Sequence, residues 1–166
     1  MKIENTGYAQ FHVITRGSCV VIADGESHQC STGDVLFFPF GLAHVLADHP
    51  DRQPLAGPEV MASFEGDDPC FSEGGQTTRV ICGHYEYRTD IHHPLLNDLP
   101  GMVHVKTMDI LGDTSNTAVL PLIMNELSSR QPGQSLIVER YAEILLINTL
   151  RMHFSGSKRL TGFMPG

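Results

Sequence analysis

Short apolar and β-branched runs, separated by turn residues, fill the chain up to about residue 45. The runs FHVITR (residues 11–16), CVVIA (19–23) and VLFF (35–38) have the length and composition typical of β-strands. Asp24-Gly25 follows the second run and precedes ESHQC. Both central residues of a type I′ turn need positive φ, which Asp-Gly tolerates. The pattern therefore predicts antiparallel strands with a hairpin at Asp24-Gly25.

The middle of the chain, residues 47–78, has no sustained period. It contains four of the ten prolines, four glycines, seven acidic residues and one arginine. A long stretch of this composition is typical of an acidic loop or insertion. Strand-like sequence returns in RVICGHYEY, residues 79–87, and in MVHVKTM, residues 102–108. The sheet is therefore expected to resume after the insertion.

A helical period begins near residue 117. Apolar residues recur at spacings of three and four over 117–129 and 135–154, on either side of a break at Pro132-Gly133. The second helix is apolar nearly all round, so we expect it to pack on the barrel and also on another helix. Ile144 and Leu145 are expected to contribute to a homodimer interface.

Together these patterns predict a mainly β fold. We expect a small antiparallel barrel over residues 1–112, with the insertion at about 47–78, and a helical hairpin over residues 113–155. Residues 156–166 have no periodic pattern and are expected to form a loose tail.

Charge and composition exclude several classes of protein. The net charge of −8 argues against direct nucleic-acid binding, which depends on Lys and Arg neutralising phosphates. The chain has neither an apolar run long enough for a membrane span nor a signal-peptide pattern at its N-terminus. We expect a soluble, cytoplasmic protein without membrane contact. In that compartment, the four cysteines are better explained as thiols or metal ligands than as disulfides.

A motif with the spacing G-x5-P-x-G-x2-H runs from Gly33 to His44, through Pro39 and Gly41. Gly33 makes the turn into a strand, Pro39 ends its ladder, Gly41 permits the next turn, and His44 is directed back into a barrel. This motif resembles the second motif of the cupin family, with Asp48 where cupins often have Asn. The resemblance implies a double-stranded β-helix with a ligand or metal in its mouth.

The first cupin motif, H-x-H-x3-4-E-x6-G, is absent. If it is aligned on Gly17, Gln10 takes the position of the Glu, and residues 3–6 contain no histidine. The usual three-His, one-Glu metal site of cupin enzymes is therefore not expected, which counts against a dioxygenase or oxalate-type enzyme.

A longer resemblance covers most of the chain. FHVITRGSCVVIADGE, TGDVLFFPFGLAHVL, ICGHYEY, HPLLNDLPGMVHV and the helix pair occur in the order seen in the cupin-type N-terminal sensor domain of AraC-family transcriptional regulators. The chain is most similar to the branch that includes RclR and MtrA. The resemblance implies a barrel that senses a signal, helices that dimerise, and a DNA-binding helix-turn-helix part after them. The sequence shows no helix-turn-helix, so we expect either a sensor fragment or a stand-alone domain.

Side-chain alternation suggests a metal site. Gln10, His12 and Ile14 share one face of their strand, as do Val80, Cys82 and His84 on another. If both faces point into the barrel, His12, His44 and Cys82 can meet there, and imidazole and thiolate are ligands that Zn²⁺ prefers.

The resemblance implies zinc at the same three positions, since members of the branch hold zinc with two His and two Cys. The fourth ligand would be water, His84, a partner chain or an anion.

Other interpretations of these residues remain open. His12 can be a hydrogen-bonded core residue, and Cys82 an inert buried thiol or an oxidisable one. Cys19 and Cys30 flank the hairpin and can lie opposite each other as two packed thiols. An organic ligand would instead contact the barrel-facing set Gln10, His12, Phe38, His44 and His84.

The sequence thus favours a sensor of a small molecule, zinc or an oxidant, within an AraC-type regulator. The alternative is a small metal-dependent cupin enzyme of isomerase or dioxygenase type, although the missing Glu makes a non-enzyme the better expectation. A third interpretation is a metal-free interaction module that depends on the second helix alone.

Overall fold

The computed structural model describes residues 1–62, 77–85, 98–106, 115–129 and 131–156. It divides into two compact units, residues 1–106 and residues 107–166. The first unit is mainly antiparallel β and the second holds a helix pair, which confirms the predicted fold class. The strands within the described ranges are β1 (Lys2–Ile3), β2 (Ala9–Arg16), β3 (Ser18–Ala23), β4 (Glu26–Ser31), β5 (Val35–Phe38), β6 (His44–Ala47), β7 (Arg79–Tyr85) and β8 (Val103–Val105).

The first sheet has the strand order β1-β6-β3-β4, with every pair antiparallel. The β3–β4 hairpin turns at Asp24 and Gly25, whose φ angles are 51° and 78°. Two consecutive positive φ angles are those of a type I′ turn, so the predicted hairpin is confirmed. Its register places Cys19 opposite Cys30.

The second sheet has the order β7-β2-β5-β8. Its register aligns four residues in one row across the strands, in the order Cys82, His12, Leu36 and His104. Residues paired in this way share a face of the sheet. Because adjacent strands are about 4.8 Å apart, His12 and His104 are separated by two strand spacings, with Leu36 between them.

One apolar cluster joins the two sheets. Side chains of both sheets contribute to it: Ile14, Cys19, Val21, Ala23, Cys30, Leu36, Phe38 and Leu46. Burying each large aliphatic or aromatic side chain of this kind contributes roughly 1.5–3 kcal/mol. The row that contains His12 therefore lies on the face of its sheet that packs against the other sheet.

Two glycines shape the segment that leads to His44. Gly33 (φ 93°) precedes β5, and Gly41 (φ 64°) follows Pro39 just after β5 ends at Phe38. A Cβ on Gly41 would overlap the Thr6 hydroxyl and the carbonyl oxygen of Tyr8. Only glycine fits this turn, after which the chain enters β6 with His44 as its first residue.

The region predicted as an unbroken loop contains regular structure at its start. β6 runs to Ala47, and a short helix, α1, spans Gly57–Ala62. Pro58 indicated a loop in the sequence, yet proline is well tolerated in the first turn of a helix, where its missing N–H costs nothing. The segment is tied to β1, since the Lys2 N–H donates to the Leu55 carbonyl at 2.6 Å. Most of the acidic residues predicted for a loop, including all those at 63–76, lie outside the described residues.

The second unit consists of α2 (Ser115–Ser129) and α3 (Gln134–Gly156), which pack against each other. Both predicted helices are confirmed to within two residues at each end. Gly133, with φ 84°, ends the connection between them. The predicted tail lies almost wholly outside the described residues. None of the helices in the described ranges is long and apolar enough to cross a membrane.

Candidate functional site

Inside the β unit, His12 contacts both of the other residues predicted as metal ligands. His12 Nδ1 lies 3.0 Å from Cys82 Sγ, and His12 Nε2 lies 2.7 Å from His44 Nε2. They come from β2, β7 and β6, so both sheets contribute. The pairing of β2 with β7 sets Cys82 directly opposite His12. The turn at Gly41 leads into β6, whose first residue, His44, reaches His12 from the other sheet.

Phe38 holds the His44 ring in place. The two rings stack with centroids 3.7 Å apart and planes 6° from parallel, and Phe38 also meets the His12 ring edge-on. Phe38 is fully buried. The aromatic ring is therefore a wall of the site, and it restricts rotation of the imidazole above it.

One backbone carbonyl determines where the protons lie. His44 Nδ1 is 2.7 Å from the Leu42 carbonyl oxygen, which can only accept, so Nδ1 carries a proton. In a neutral ring, His44 Nε2 then accepts from His12 Nε2–H, and His12 Nδ1 accepts the Cys82 S–H. The assignment follows from the hydrogen-bond network, which has one consistent arrangement of neutral groups.

Burial keeps both histidines neutral. His12 is 2% exposed, and burial, with a smaller effect of His44, lowers its pKa to about 3. Burial also lowers the pKa of His44, and the hydrogen bond to Leu42 opposes this only in part. Both imidazoles therefore have an unprotonated nitrogen at neutral pH.

Cys82 is the exposed residue of the three. It lies on β7, an edge strand among the strands that the structure describes, and its sulfur points at the buried His12 ring. Surrounding protein raises the pKa of the thiol to about 12 by desolvation, and Cys19 adds to this. The thiol is therefore protonated at neutral pH, consistent with donation to His12.

The donor types of these three side chains suit zinc. The distances between them are those of hydrogen bonds. Zn²⁺ binds imidazole nitrogen at ~2.0–2.1 Å with tetrahedral angles, which separates two such nitrogens by about 3.3 Å. The His12–His44 nitrogen distance of 2.7 Å is shorter, as a hydrogen bond requires. His12 also presents different nitrogens to Cys82 and His44.

The other predicted ligand contacts lie beside this group. Gln10 is buried; its Nε2 donates to Thr6 Oγ1 at 3.0 Å, and its Oε1 is buried without a hydrogen-bond partner among the described residues. His84 faces Gln10 across the β2–β7 pair, is exposed, and packs its ring 4.8 Å from that of Tyr8.

A second cluster of chemically active side chains was missed by the sequence analysis. Cys30, Asp34 and His104 place one ligand atom each within 4.8 Å of one another. These residues lie in three separate runs of the sequence, and no short motif joins them. The only hints were the alternation of His104 between Val103 and Val105 and the acidic residue after Gly33.

The fold and the site together define a class of protein. Two facing antiparallel sheets with a motif histidine between them form a barrel of the cupin type. A family model described as cupin matches residues 1–155. The chain therefore belongs to the cupin family.

The chain is also similar to transcription regulators. It is 29% identical over 160 residues to a Streptomyces lividans protein named as an AraC-like transcription regulator, covering 95% of this chain and 52% of that protein. Over 165 residues it is 28% identical to the HTH-type transcriptional regulator MtrA of Neisseria gonorrhoeae, covering 93% of this chain and 50% of MtrA.

With the HTH-type transcriptional regulator AlkR of Acinetobacter baylyi the identity is 27% over 150 residues, covering 87% of this chain and 49% of AlkR. These matches confirm the resemblance to AraC-type regulators. The chain spans about half the length of these relatives.

Proposed function

We propose that the chain is the signal-sensing part of an AraC-type transcriptional regulator, and that its signal site is the group His44, His12 and Cys82. The observation that carries the proposal is the hydrogen-bonded path from the Leu42 carbonyl through two buried, neutral imidazoles to the thiol of Cys82, an exposed residue. The similarity to regulators supports the general role. A regulator of this kind works beside DNA, so the proposal implies a cytoplasmic protein.

Zinc is the proposed cofactor of the site. His12, His44 and Cys82 would hold it: the Cys82 thiol would lose its proton, and each imidazole would stay neutral with its one proton on the nitrogen that does not bind the metal. Neutral imidazoles favour this, because no histidine proton has to be removed against a high pKa. When bound, zinc supplies the positive charge that keeps the Cys82 sulfur as a thiolate. Because His12 faces Cys82 with Nδ1 and His44 with Nε2, its ring would have to turn so that a single nitrogen binds the metal beside both other ligands.

Cys82 is the proposed target of an oxidant. Hypochlorous acid converts a thiol to a sulfenic acid: an S–O bond replaces S–H, chloride leaves, and a proton is released. Thiolates react far faster than thiols, so the raised pKa predicts slow oxidation of the metal-free protein and faster oxidation when zinc is bound. Cys82 is an exposed residue, whereas Cys19 and Cys30 are buried.

A small organic ligand is the other proposed signal. Gln10 Oε1, which has no hydrogen-bond partner among the residues that the structure describes, would accept a hydrogen bond from an N–H or O–H group of such a ligand, since a buried acceptor without a partner costs free energy. Phe38, His12, His44 and His84 are the remaining side chains of that site. Zinc binding, measured side by side in His49→Ala, Gln10→Ala and His44→Ala, distinguishes the two proposals. Loss in His44→Ala alone indicates the zinc site, because Gln10 belongs only to the organic-ligand site.

The helix pair is the proposed dimer interface. Ile137, Ile144 and Ile147 are exposed on α3, and their spacing places them on one side of the helix. A second copy of the chain is the proposed partner. Direct nucleic-acid contact by this chain is not part of the proposal, given its net charge of −8.

Hydrogen exchange tests the sensing role. One equivalent of Zn²⁺, or mild hypochlorite, is expected to change amide exchange in the helix pair of the wild-type protein and of His49→Ala. Within the part of the chain that the structure describes, the exposed His49 pairs with Asp51 and Arg52 of its own loop, so it is a matched control. The response should be lost in His44→Ala. Exchange that changes in the strands alone, with the helices unaffected, would refute coupling between site and helices.

A further inference from the structure

Cys30, Asp34 and His104 form a compact cluster away from the proposed signal site. Cys30 is the next-to-last residue of β4, Asp34 lies in the turn before β5, and His104 is the central residue of β8. His104 Nε2 is 3.1 Å from Asp34 Oδ2, and one ligand atom from each of the three lies within 4.8 Å of the others. Both sheets therefore contribute to the cluster.

The cluster is buried and held rigidly. Cys30 is 0% and Asp34 3% exposed, and the His104 side chain is nearly as enclosed. The Ser31 backbone N–H donates to Asp34 Oδ2 at 3.0 Å, and the Asp34 N–H donates to the Ser31 carbonyl at 3.0 Å. The carboxylate is thus fixed by the turn itself. Prior fixing of ligands lowers the ordering cost of binding a cation.

The donor set selects a class of metal. A thiol, an imidazole and a carboxylate are the three side-chain types that bind Zn²⁺, whereas Ca²⁺ and Mg²⁺ take oxygen ligands. Burial lowers the pKa of His104 below its ordinary value despite the opposing effect of Asp34, so the ring is neutral at neutral pH. A carboxylate that is almost fully buried beside a neutral ring gains from a nearby positive charge.

We propose that Cys30, Asp34 and His104 form a second metal site, which binds Zn²⁺ or a similar thiophilic divalent cation. Binding releases the Cys30 S–H proton to solvent, and the neutral His104 ring keeps its one proton on the nitrogen that does not bind the metal. Cys19 is hydrogen-bonded to Cys30 and lies outside the ligand set. The proposal does not rest on the proposed function.

The two sites can be separated by mutation. Leu36 stands between His12 and His104 in the cross-strand row, and the two sites share no residue. A substitution at one site is therefore expected to leave the ligands of the other in place. Mutational effects at sites without shared partners usually add independently.

Equilibrium dialysis of the full chain against Zn²⁺ alone tests the proposal. His104→Gln and Cys30→Ser are each expected to lose one equivalent, or to bind it at least tenfold more weakly, while His44→Ala keeps it. His28→Gln is the matched control, because its ring meets His104 edge-on at 6.4 Å but lies outside the ligand set. It should bind as the wild type does. Equal zinc stoichiometry and affinity in wild type, His104→Gln and Cys30→Ser would overturn the second site.

A conservative variant and a Co²⁺ spectrum distinguish loss of the metal site from misfolding of the protein. Asp34→Asn keeps an oxygen to accept from Ser31 N–H but removes the charge, so the turn should persist while zinc affinity falls at least tenfold. With Co²⁺ alone, the His44→Ala protein should show a thiolate-to-metal charge-transfer band that disappears in His44→Ala/Cys30→Ser. Circular dichroism and urea midpoints in chelator show that each variant is folded. A band that survives without Cys30 would contradict the assignment.

Discussion

His12 and His44 meet through like atoms, with their Nε2 nitrogens 2.7 Å apart. Two neutral imidazoles can approach in this way only if one of them carries the proton and the other accepts it. The Leu42 carbonyl makes that choice, because it requires the proton of His44 to be on Nδ1. His12 must then be the donor at Nε2, which leaves its Nδ1 for the Cys82 thiol.

The two rings should therefore be opposite tautomers. In ¹⁵N-labelled, metal-free protein at neutral pH, we expect His44 as the Nδ1–H form and His12 as the Nε2–H form. The long-range ring ¹H–¹⁵N spectrum distinguishes the two forms directly. His12→Gln serves to assign the signals. Identical tautomers in both rings would contradict the hydrogen-bonded path.

Acid should destabilise the metal-free protein through His12. The pKa of His12 is about 3 in the folded state and ordinarily 6.5, so the unfolded chain binds more protons between these values. Stability is therefore fully present above pH 6.5 and falls as the pH drops, by about 2 kcal/mol from pH 7 to pH 5 for this residue alone. His44 and His104, whose pKa values are also lowered, act in the same direction.

Urea unfolding at pH 7 and pH 5 measures this effect. His12→Gln should show a smaller loss of stability between the two pH values than the wild type, and His49→Gln the same loss. An unchanged pH dependence in His12→Gln would mean that His12 is not buried as a neutral ring.

Two glycines with positive φ should respond differently to alanine. Gly25 has φ 78° with nothing near its would-be Cβ, so Gly25→Ala meets only backbone strain of roughly 1–2 kcal/mol. Gly41→Ala adds overlap with Thr6 and with the Tyr8 backbone, for a total of about 3 kcal/mol or more. Urea midpoints give both values, and equal losses would show that the Gly41 turn is not as close to Thr6 as described.

Neighbouring residues of α3 should separate folding from association. Ile144 is 43% exposed and Leu145 1% exposed. Ile144→Glu is expected to weaken a dimer at least tenfold while the helices stay folded. Leu145→Glu should lower helix content and stability, since it buries a charge. Sedimentation and circular dichroism separate the two effects, and a wild-type protein that stays monomeric at high concentration would refute the interface.

Local pattern predicted much of this fold because each element carries its own signal. Asp24-Gly25 specifies a hairpin by its φ angles, and the period of α2 and α3 is read directly from spacing. α1 was missed because proline is common in the first turn of a helix as well as in loops, and Pro58 lies in the first turn of α1. β1 was missed because two residues carry no period, and its position depends on pairing with β6.

The candidate sites show the same division between local and long-range information. Alternation placed His12 and Cys82 on barrel-facing sides of their strands, and the motif placed His44, so the group could be predicted without its hydrogen-bond order. That order depends on the Leu42 carbonyl, a backbone contact invisible in sequence. The pairing of Asp34 with His104 crosses 70 positions and depends on the β5–β8 register. Leu145 was expected at a dimer interface, but helical period alone does not tell which apolar face is already covered.

The most direct test of the central claim is zinc content, measured by plasma mass spectrometry on untagged protein. Wild type is compared with His12→Ala, His44→Ala and Cys82→Ser, with His49→Ala as the control. If these residues hold the metal, each of the three variants loses one equivalent of zinc relative to wild type and His49→Ala does not. Zinc content that is the same in wild type and in all three variants would contradict the assignment of His12, His44 and Cys82 as the metal-binding signal site.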